Sequence, residues 1–129
     1  MPKIEFKIDW EKDARNYYDC ANSNPHFGVD FTKEIKPEIF VKFRGKKWTD
    51  VKNEILITLK KAYHKDNVIL NKKKREIEKE WGKIKQTFFA KLEQITKHKI
   101  YTNKFVCYFT TLGRCPYNDK ENWFMTNIF

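Results

Sequence analysis

The sequence is poor in the residues on which most enzyme and cofactor chemistry depends. Its four glycines, Gly28, Gly45, Gly82 and Gly113, stand far apart. No glycine-rich loop can therefore bring a row of backbone N–H groups to a phosphate. The three histidines, His26, His64 and His98, have no spacing that puts two imidazoles on one helix face, which points to capping or surface roles over metal ligation. Three cysteines, Cys20, Cys107 and Cys115, make no CxxC pair and no zinc site. In a reducing compartment they are expected as thiols, with Cys107 buried on a strand; an oxidising one would permit a Cys107–Cys115 bridge across the terminal turn. There is neither a GxSxG elbow nor an HExxH helix, and nothing in the spacing unites Cys115 with His98 as a nucleophilic pair. Asp119 and Glu121 fall in a turn, where solvation is expected. No complete catalytic motif is present, so the expectation leans away from an enzyme, with no metal and no cofactor.

Long apolar runs are missing too. Nothing approaches the ~18 residues that cross a bilayer, and Met1-Pro2-Lys3-Ile4-Glu5 lacks a signal-peptide core. A cytoplasmic location and no membrane partner are the expectation. Four prolines and no low-complexity stretch leave no linker, and there is no internal repeat. The 129 residues read as one domain over 1–129, complete or part of a larger one.

What the chain has in quantity is aromatic residues and lysine. Eleven Phe, six Tyr and four Trp can fill a core despite 34% charged residues, which argues against disorder. The net charge is +10, from 27 Lys plus Arg against 17 Asp plus Glu. That balance favours polyanions or acidic surfaces. Arginine, however, occurs only at Arg15, Arg44, Arg75 and Arg114, few for a reader of bases and phosphates. The abundance of Lys, Asn and Ile is also what an AT-rich coding sequence imposes.

Lys3 to Ile8 alternates polar and apolar, the period of a half-buried strand. Asp9 stands where an N-cap belongs, with Glu11 and Asp13 in the first turn of a helix whose inner face is Trp10, Ala14, Tyr17, Tyr18 and Ala21, ending at Asn22-Ser23-Asn24-Pro25. Gly28 to Phe31 reads as loop or a short extended piece. Pro37 opens a short helical stretch with Ile39, Phe40 and Phe43, stopped at Gly45. Thr49 or Asp50 is expected to cap the next helix, with Val51, Ile55, Leu56, Leu59, Ala62 and Tyr63 inward, and His64 to Asn67 breaks or bends it. Ile77, Trp81, Ile84, Phe88, Leu92 and Ile95 then recur at four and three. This predicts a helix over about 72–97, ~39 Å long at 1.5 Å per residue. Strands are expected near 100–110 and 122–128. The fold class is α+β: a small mixed or antiparallel sheet (strands near 3–8, 100–110 and 122–128) packed on three or four helices including the long one.

Three features are candidates for interaction. Lys72, Lys73, Lys74 and Arg75 form the one dense basic cluster, suited to phosphates or expected as the solvated first turn of the long helix. The turn from Thr110 to Asn118, with Gly113, Arg114, Cys115, Pro116 and Tyr117, lies between two apolar strands, where functional loops are often found and where plain turn chemistry also suffices. The closing segment Trp123 to Phe129 is apolar and strand-like, so it is either interior to a sheet or covered by something else. The candidate interaction residues are thus Lys72, Lys73, Lys74, Arg75, Arg114, Tyr117 and Trp123. The partners they suggest are a polyanion on the lysine-rich helix or a protein pairing with the C-terminal strand.

Tyr108-Phe109-Thr110-Thr111, Arg114-Cys115-Pro116-Tyr117-Asn118 and Glu121-Asn122-Trp123-Phe124-Met125 together resemble a segment of uncharacterised bacterial zincin-like proteins, a metallopeptidase family. The resemblance covers roughly the last thirty residues and the long amphipathic helix before them. It implies an order of first strand, backing helices, two more strands, an edge strand and then a metal-bearing HExxH helix. This sequence lacks that helix, so no catalytic or metal residue carries over. The function implied is a non-catalytic scaffold half of such a domain. The alternatives are a small basic protein binding nucleic acid or an acidic protein, and an inhibitor- or antitoxin-like protein that pairs its strand with a partner's sheet edge.

Overall fold

The structure is a computed structural model and describes residues 1–23, 33, 35 and 38–129, with side chains at 38–40 left out. The reading of Gly28 to Phe31, His26 and the opening proline Pro37 lie outside the described residues.

The chain is α+β. The alternating N-terminus forms strand β1, Lys3–Lys7, and Asp9 then caps helix α1, Trp10–Asn22, its carboxylate accepting from the N–H of Glu11 at 3.0 Å and of Lys12 at 3.1 Å. Such a cap contributes about 1 kcal/mol. A 3-10 helix, Glu38–Phe43, follows, and Gly45 turns the chain at φ +79°, a backbone state a side chain would oppose. Helix α2, Trp48–Tyr63, passes through a single 3-10 turn, His64–Asp66, into α3, Asn67–Thr96. The two halves make one helical run of 49 residues, tightened at that turn.

Among the described residues the expectation of three or four helices is therefore corrected to two α-helices, α1 and this run. His64 and Asn67 keep right-handed helical dihedrals, so the polar stretch tightens the helix into a 3-10 turn without ending it. Neither Thr49 nor Asp50 caps α2: it starts at Trp48, Lys47 stands at the cap without a side-chain bond, and the Asp50 N–H reaches the Lys47 carbonyl at 3.1 Å. The long helix likewise begins before residue 72. Lys72 to Arg75 therefore lie in its interior and not in its first turn.

Strand β2, Lys104–Thr110, starts later than the expected residue 100; the N–H of Ile100 is taken by the Glu93 carboxylate at 3.1 Å. β3 is a two-residue strand, Tyr117–Asn118, and β4 is Trp123–Asn127. The four strands form one mixed sheet in the order β1-β2-β4-β3. β1 pairs parallel with β2 and β2 parallel with β4, while β3 pairs antiparallel with β4. The strands around the Gly113–Asn118 turn thus lie side by side in parallel instead of forming a hairpin. The chain between them returns to the starting end of the sheet before entering β4, and only β3–β4 is a hairpin.

The register sorts the sheet into two faces, because side chains alternate along each strand. Ile4, Phe6, Phe105, Cys107, Phe109, Phe124 and Thr126 share one face, over which α3 runs. Glu5, Val106, Tyr108, Thr110, Trp123 and Met125 share the other. α1 lies across the end of that second face, where the Lys12 ammonium is 5.2 Å from the Tyr108 ring centre and 4.8 Å from that of Trp123. One core joins α1 to α2 through Ala14, Tyr17, Cys20, Ile55, Leu59 and Leu112, all buried. A smaller one joins α3 to the sheet through Leu70, Phe109 and Ile128.

Candidate functional site

The feature that stands out chemically is a groove of about 670 Å³ between α3 and the sheet. Its floor is Ile4 and Phe6 of β1, Phe105 and Cys107 of β2, and Phe124 and Thr126 of β4, brought side by side by the parallel register. Its wall is the stripe Ile77, Trp81, Ile84, Phe88 and Leu92 of α3, with Phe89 beside it. These residues have the four-and-three spacing of a core-facing helix, yet Ile84 is 54% and Phe88 46% exposed. α3 buries Leu70 near its start and Phe89 farther along, while Ile84 and Phe88 on the same stripe stay open to the groove.

Trp81, Phe88 and Phe89 hold one another edge to face, with centroids 5.3 to 5.7 Å apart, the arrangement aromatic quadrupoles favour. The polar groups at the groove are few: the Thr126 hydroxyl, the Cys107 thiol, and the carboxylates of Glu76 and Glu80 on the rim. Glu80 is tied to Lys83 at 2.6 Å. Burial, with a smaller push from nearby Cys115, raises the Cys107 pKa to about 12. A thiol so far from ionisation is a poor nucleophile. The chemistry of the groove is that of apolar binding.

A second, polar cluster lies where α1 meets the end of β2. Asp13 is buried and accepts from the hydroxyl of Thr110 at 2.5 Å, that of Thr111 at 2.7 Å and the Thr111 N–H at 3.3 Å. One turn along α1, the buried Asn16 donates to the Thr110 hydroxyl oxygen at 2.9 Å and to the Arg114 carbonyl at 2.8 Å, and accepts from the Arg114 guanidinium at 2.8 Å. The Tyr17 hydroxyl shares a 2.9 Å bond with that of Thr111. Burial pushes the Asp13 carboxyl up, against the pull of its three donors. Every buried side-chain polar atom among the described residues is satisfied. This cluster binds the turn to α1 and offers no open face for a substrate.

The sequence-predicted interaction residues are dispersed. Lys72 and Arg75 are exposed on α3. Lys73 stands over the Phe129 ring at 5.1 Å, and Lys74 pairs with Glu78 at 2.7 Å. Arg114 belongs to the α1 clasp. Tyr117 is 76% exposed and paired with Phe124, whereas Trp123 projects to the opposite face, its indole N–H donating to Glu121 at 2.9 Å. β4 lies between β2 and β3, and the two-residue β3 covers its outer edge only at Trp123 and Phe124, with the Met125 N–H reaching the Pro116 carbonyl at 2.9 Å. The Ile128 N–H continues the ladder to the Thr110 carbonyl at 3.0 Å. All three cysteines are thiols.

Sequence reasoning missed the groove. The apolar stripe of α3 and the alternation in β1 signalled its two walls, but not that the walls stand apart. Among the described residues no group of three His, Cys, Asp or Glu side chains is arranged to hold a metal, and no helix is long and apolar enough to cross a membrane. The chain matches no family model, no curated protein and no solved structure.

Proposed function

We propose that the chain is a non-catalytic α+β scaffold that seats a further amphipathic helix in the groove between α3 and the sheet, as the N-terminal half of a zincin-like metallopeptidase would. The observation that carries this reading is the groove itself, with an almost wholly apolar floor and wall. A strand face and a helix stripe left uncovered in water are each unfavourable, and an incoming Leu or Phe side chain buried between them contributes about 1.5–3 kcal/mol. The order of elements supports the comparison in part: a first strand, helices and then further strands follow one another, although the short antiparallel edge strand β3 precedes β4 in the chain.

Two measurements test it. A naphthalene-sulfonate dye is expected to fluoresce on the wild-type protein and to lose most of that signal in an Ile84→Glu/Phe88→Glu double variant that keeps its circular dichroism. Equal fluorescence from both proteins would remove the groove as the binding surface. The coding sequence downstream of Phe129 is expected to run in frame into an HExxH motif within a few dozen codons; a stop codon there would sink the zincin comparison. Stoichiometric zinc with peptidase activity in these 129 residues would refute the non-catalytic part.

The basic-protein reading keeps one supporting observation: Lys72, Arg75 and Lys79 are exposed at spacings that align them on one outer ridge of α3, without ion pairs among the described residues. It requires retention on heparin that falls steeply with salt.

A further inference from the structure

The sheet has one long unpaired edge, and it lies at β1. β1 ends the strand order, with β2 on one side and no strand on the other among the described residues. Successive residues of a strand send their N–H and C=O to alternate sides. The Lys3 N–H bonds the Asn103 carbonyl at 2.9 Å, so Lys3, Glu5 and Lys7 address β2. Ile4 and Phe6 therefore present their N–H and C=O groups outward, ready for another strand.

Beside this edge is a second opening, a slot of about 440 Å³ between Met1–Phe6 and the outer flank of α3 at Glu78, Trp81, Gly82 and Lys85. Gly82 is the telling residue. It stands inside a 30-residue helix, where glycine costs about 1 kcal/mol relative to alanine. A Cβ built there meets nothing within 4 Å, so packing inside this chain does not demand glycine. Its bare backbone keeps the slot wall clear for a passing chain.

Charge says what kind of chain fits. The polar side of β1 carries Lys3, Glu5 and Lys7, with Lys104 of β2 alongside. Glu5 is already engaged by Lys7 at 3.2 Å and by Lys104, which leaves the row net positive. A neighbouring strand with carboxylates opposite Lys3 and Lys7 would be favoured, and a cationic one opposed.

We propose that the outer edge of β1 docks an extended segment of a partner protein as a fifth strand, apolar side chains entering the slot beside Trp81 and Gly82 and carboxylates facing Lys3 and Lys7. The main chain of Ile4 and Phe6 supplies the hydrogen bonds, and the slot and the lysines supply the choice of sequence. This site adjoins the helix-seating groove and shares Ile4, Phe6 and Trp81 with it, but its hydrogen-bonding edge, Gly82 and Lys85 lie outside that groove.

The test uses the full chain, isotope-labelled, titrated with a capped heptapeptide in which valine alternates with glutamate, threonine and glutamate. Shifts are expected at the amides of Ile4 and Phe6 together with those of Gly82 and Lys85, which line the slot and not the groove, with binding weakened about tenfold when the glutamates are replaced by lysines. Gly82→Phe, a better helix former than glycine, is expected to fill the slot and weaken binding by about tenfold or more. Lys3→Glu/Lys7→Glu is expected to reverse the preference between the two peptides. The proposal is overturned by absent binding at millimolar peptide, by equal affinity for both peptides, or by shifts confined to Phe105 and Phe124. Wild-type self-association through β1, seen as a dimer whose Ile4 and Phe6 amides are already protected, overturns it as well. Should Gly82→Phe lose its fold, the wild-type shift map and the charge reversal decide alone.

Discussion

The two sides of the sheet are closed by different means. At the end of β2, α1 lies flat: Asp13 and Asn16 gather every polar group of Thr110 and Thr111 that would otherwise be buried without a partner, and Leu112 enters the α1–α2 core. On the other face, α3 buries Leu70 and Phe89 but leaves Ile84 and Phe88 about half exposed over the groove. The closed side is the more polar one. Buried hydrogen bonds demand a fixed geometry, because an unpaired buried donor or acceptor costs more than a pair contributes. Apolar contact makes no such demand, so a helix can be held at a few buried side chains and leave a groove beside them without a broken bond.

If this contrast is real, substitutions at the anchor and along the groove should differ most sharply. Leu70 is 1% exposed and packs on Phe109 and Ile128. Leu70→Ala is expected to cost about 3 kcal/mol, the usual loss for a buried leucine that leaves a cavity, read as a lower urea midpoint. Because Leu70 is the buried centre of the contact between the start of α3 and the sheet core, with Ile77 packed beside it, the variant should also show faster amide exchange along α3. A loss under about 1 kcal/mol would mean that α3 is held elsewhere.

Much of this frame is written locally. The alternation in Lys3–Lys7, the Asp9 cap and the four-and-three stripe of α3 are each decided by residues close in sequence. What escaped sequence reasoning depends on distant residues. Asp13 reads as an ordinary first-turn carboxylate favoured by the helix dipole, and nothing near it tells that its partners lie 97 and 98 positions away. The apolar character of Phe105 to Phe109 and of Trp123 to Met125 shows that both strands are covered, but not that they run parallel, since pairing direction is set by the path of the chain between them. The polar stretch at His64 looks like a helix end and is only a tighter turn, because packing of Tyr63 on Trp10 and Phe129 carries the helix through.

The clasp can be probed through protons. Burial holds the Asp13 carboxyl above the ordinary aspartate range, more strongly than Thr110 and Thr111 hold it down. A carboxyl with a raised folded pKa stabilises the fold fully below its unfolded pKa of about 4 and loses that contribution as pH rises through the folded value. Asp13→Asn removes the titration. The stability of wild type minus that of the variant should therefore fall from about pH 4 upward, by at most about 1.4 kcal/mol per pH unit. A difference that grew with pH would mean that the three donors outweigh burial and that the clasp is built for the anion.

The smallest effect is the most discriminating one for the open side. Ile84 has the periodicity of a core residue and would lose 2–5 kcal/mol on truncation if α3 lay flat on the sheet. At 54% exposure, with only a groove beneath it, it has little contact to lose. Ile84→Ala is expected to change stability by no more than about 0.5 kcal/mol, since alanine also improves helix propensity by several tenths. Its cost should rise toward that of Leu70→Ala once an amphipathic helix occupies the groove, because the side chain is then enclosed on all sides. An Ile84→Ala penalty that is already large in the isolated chain would show that α3 closes on the sheet in solution, and the two sides would then not differ.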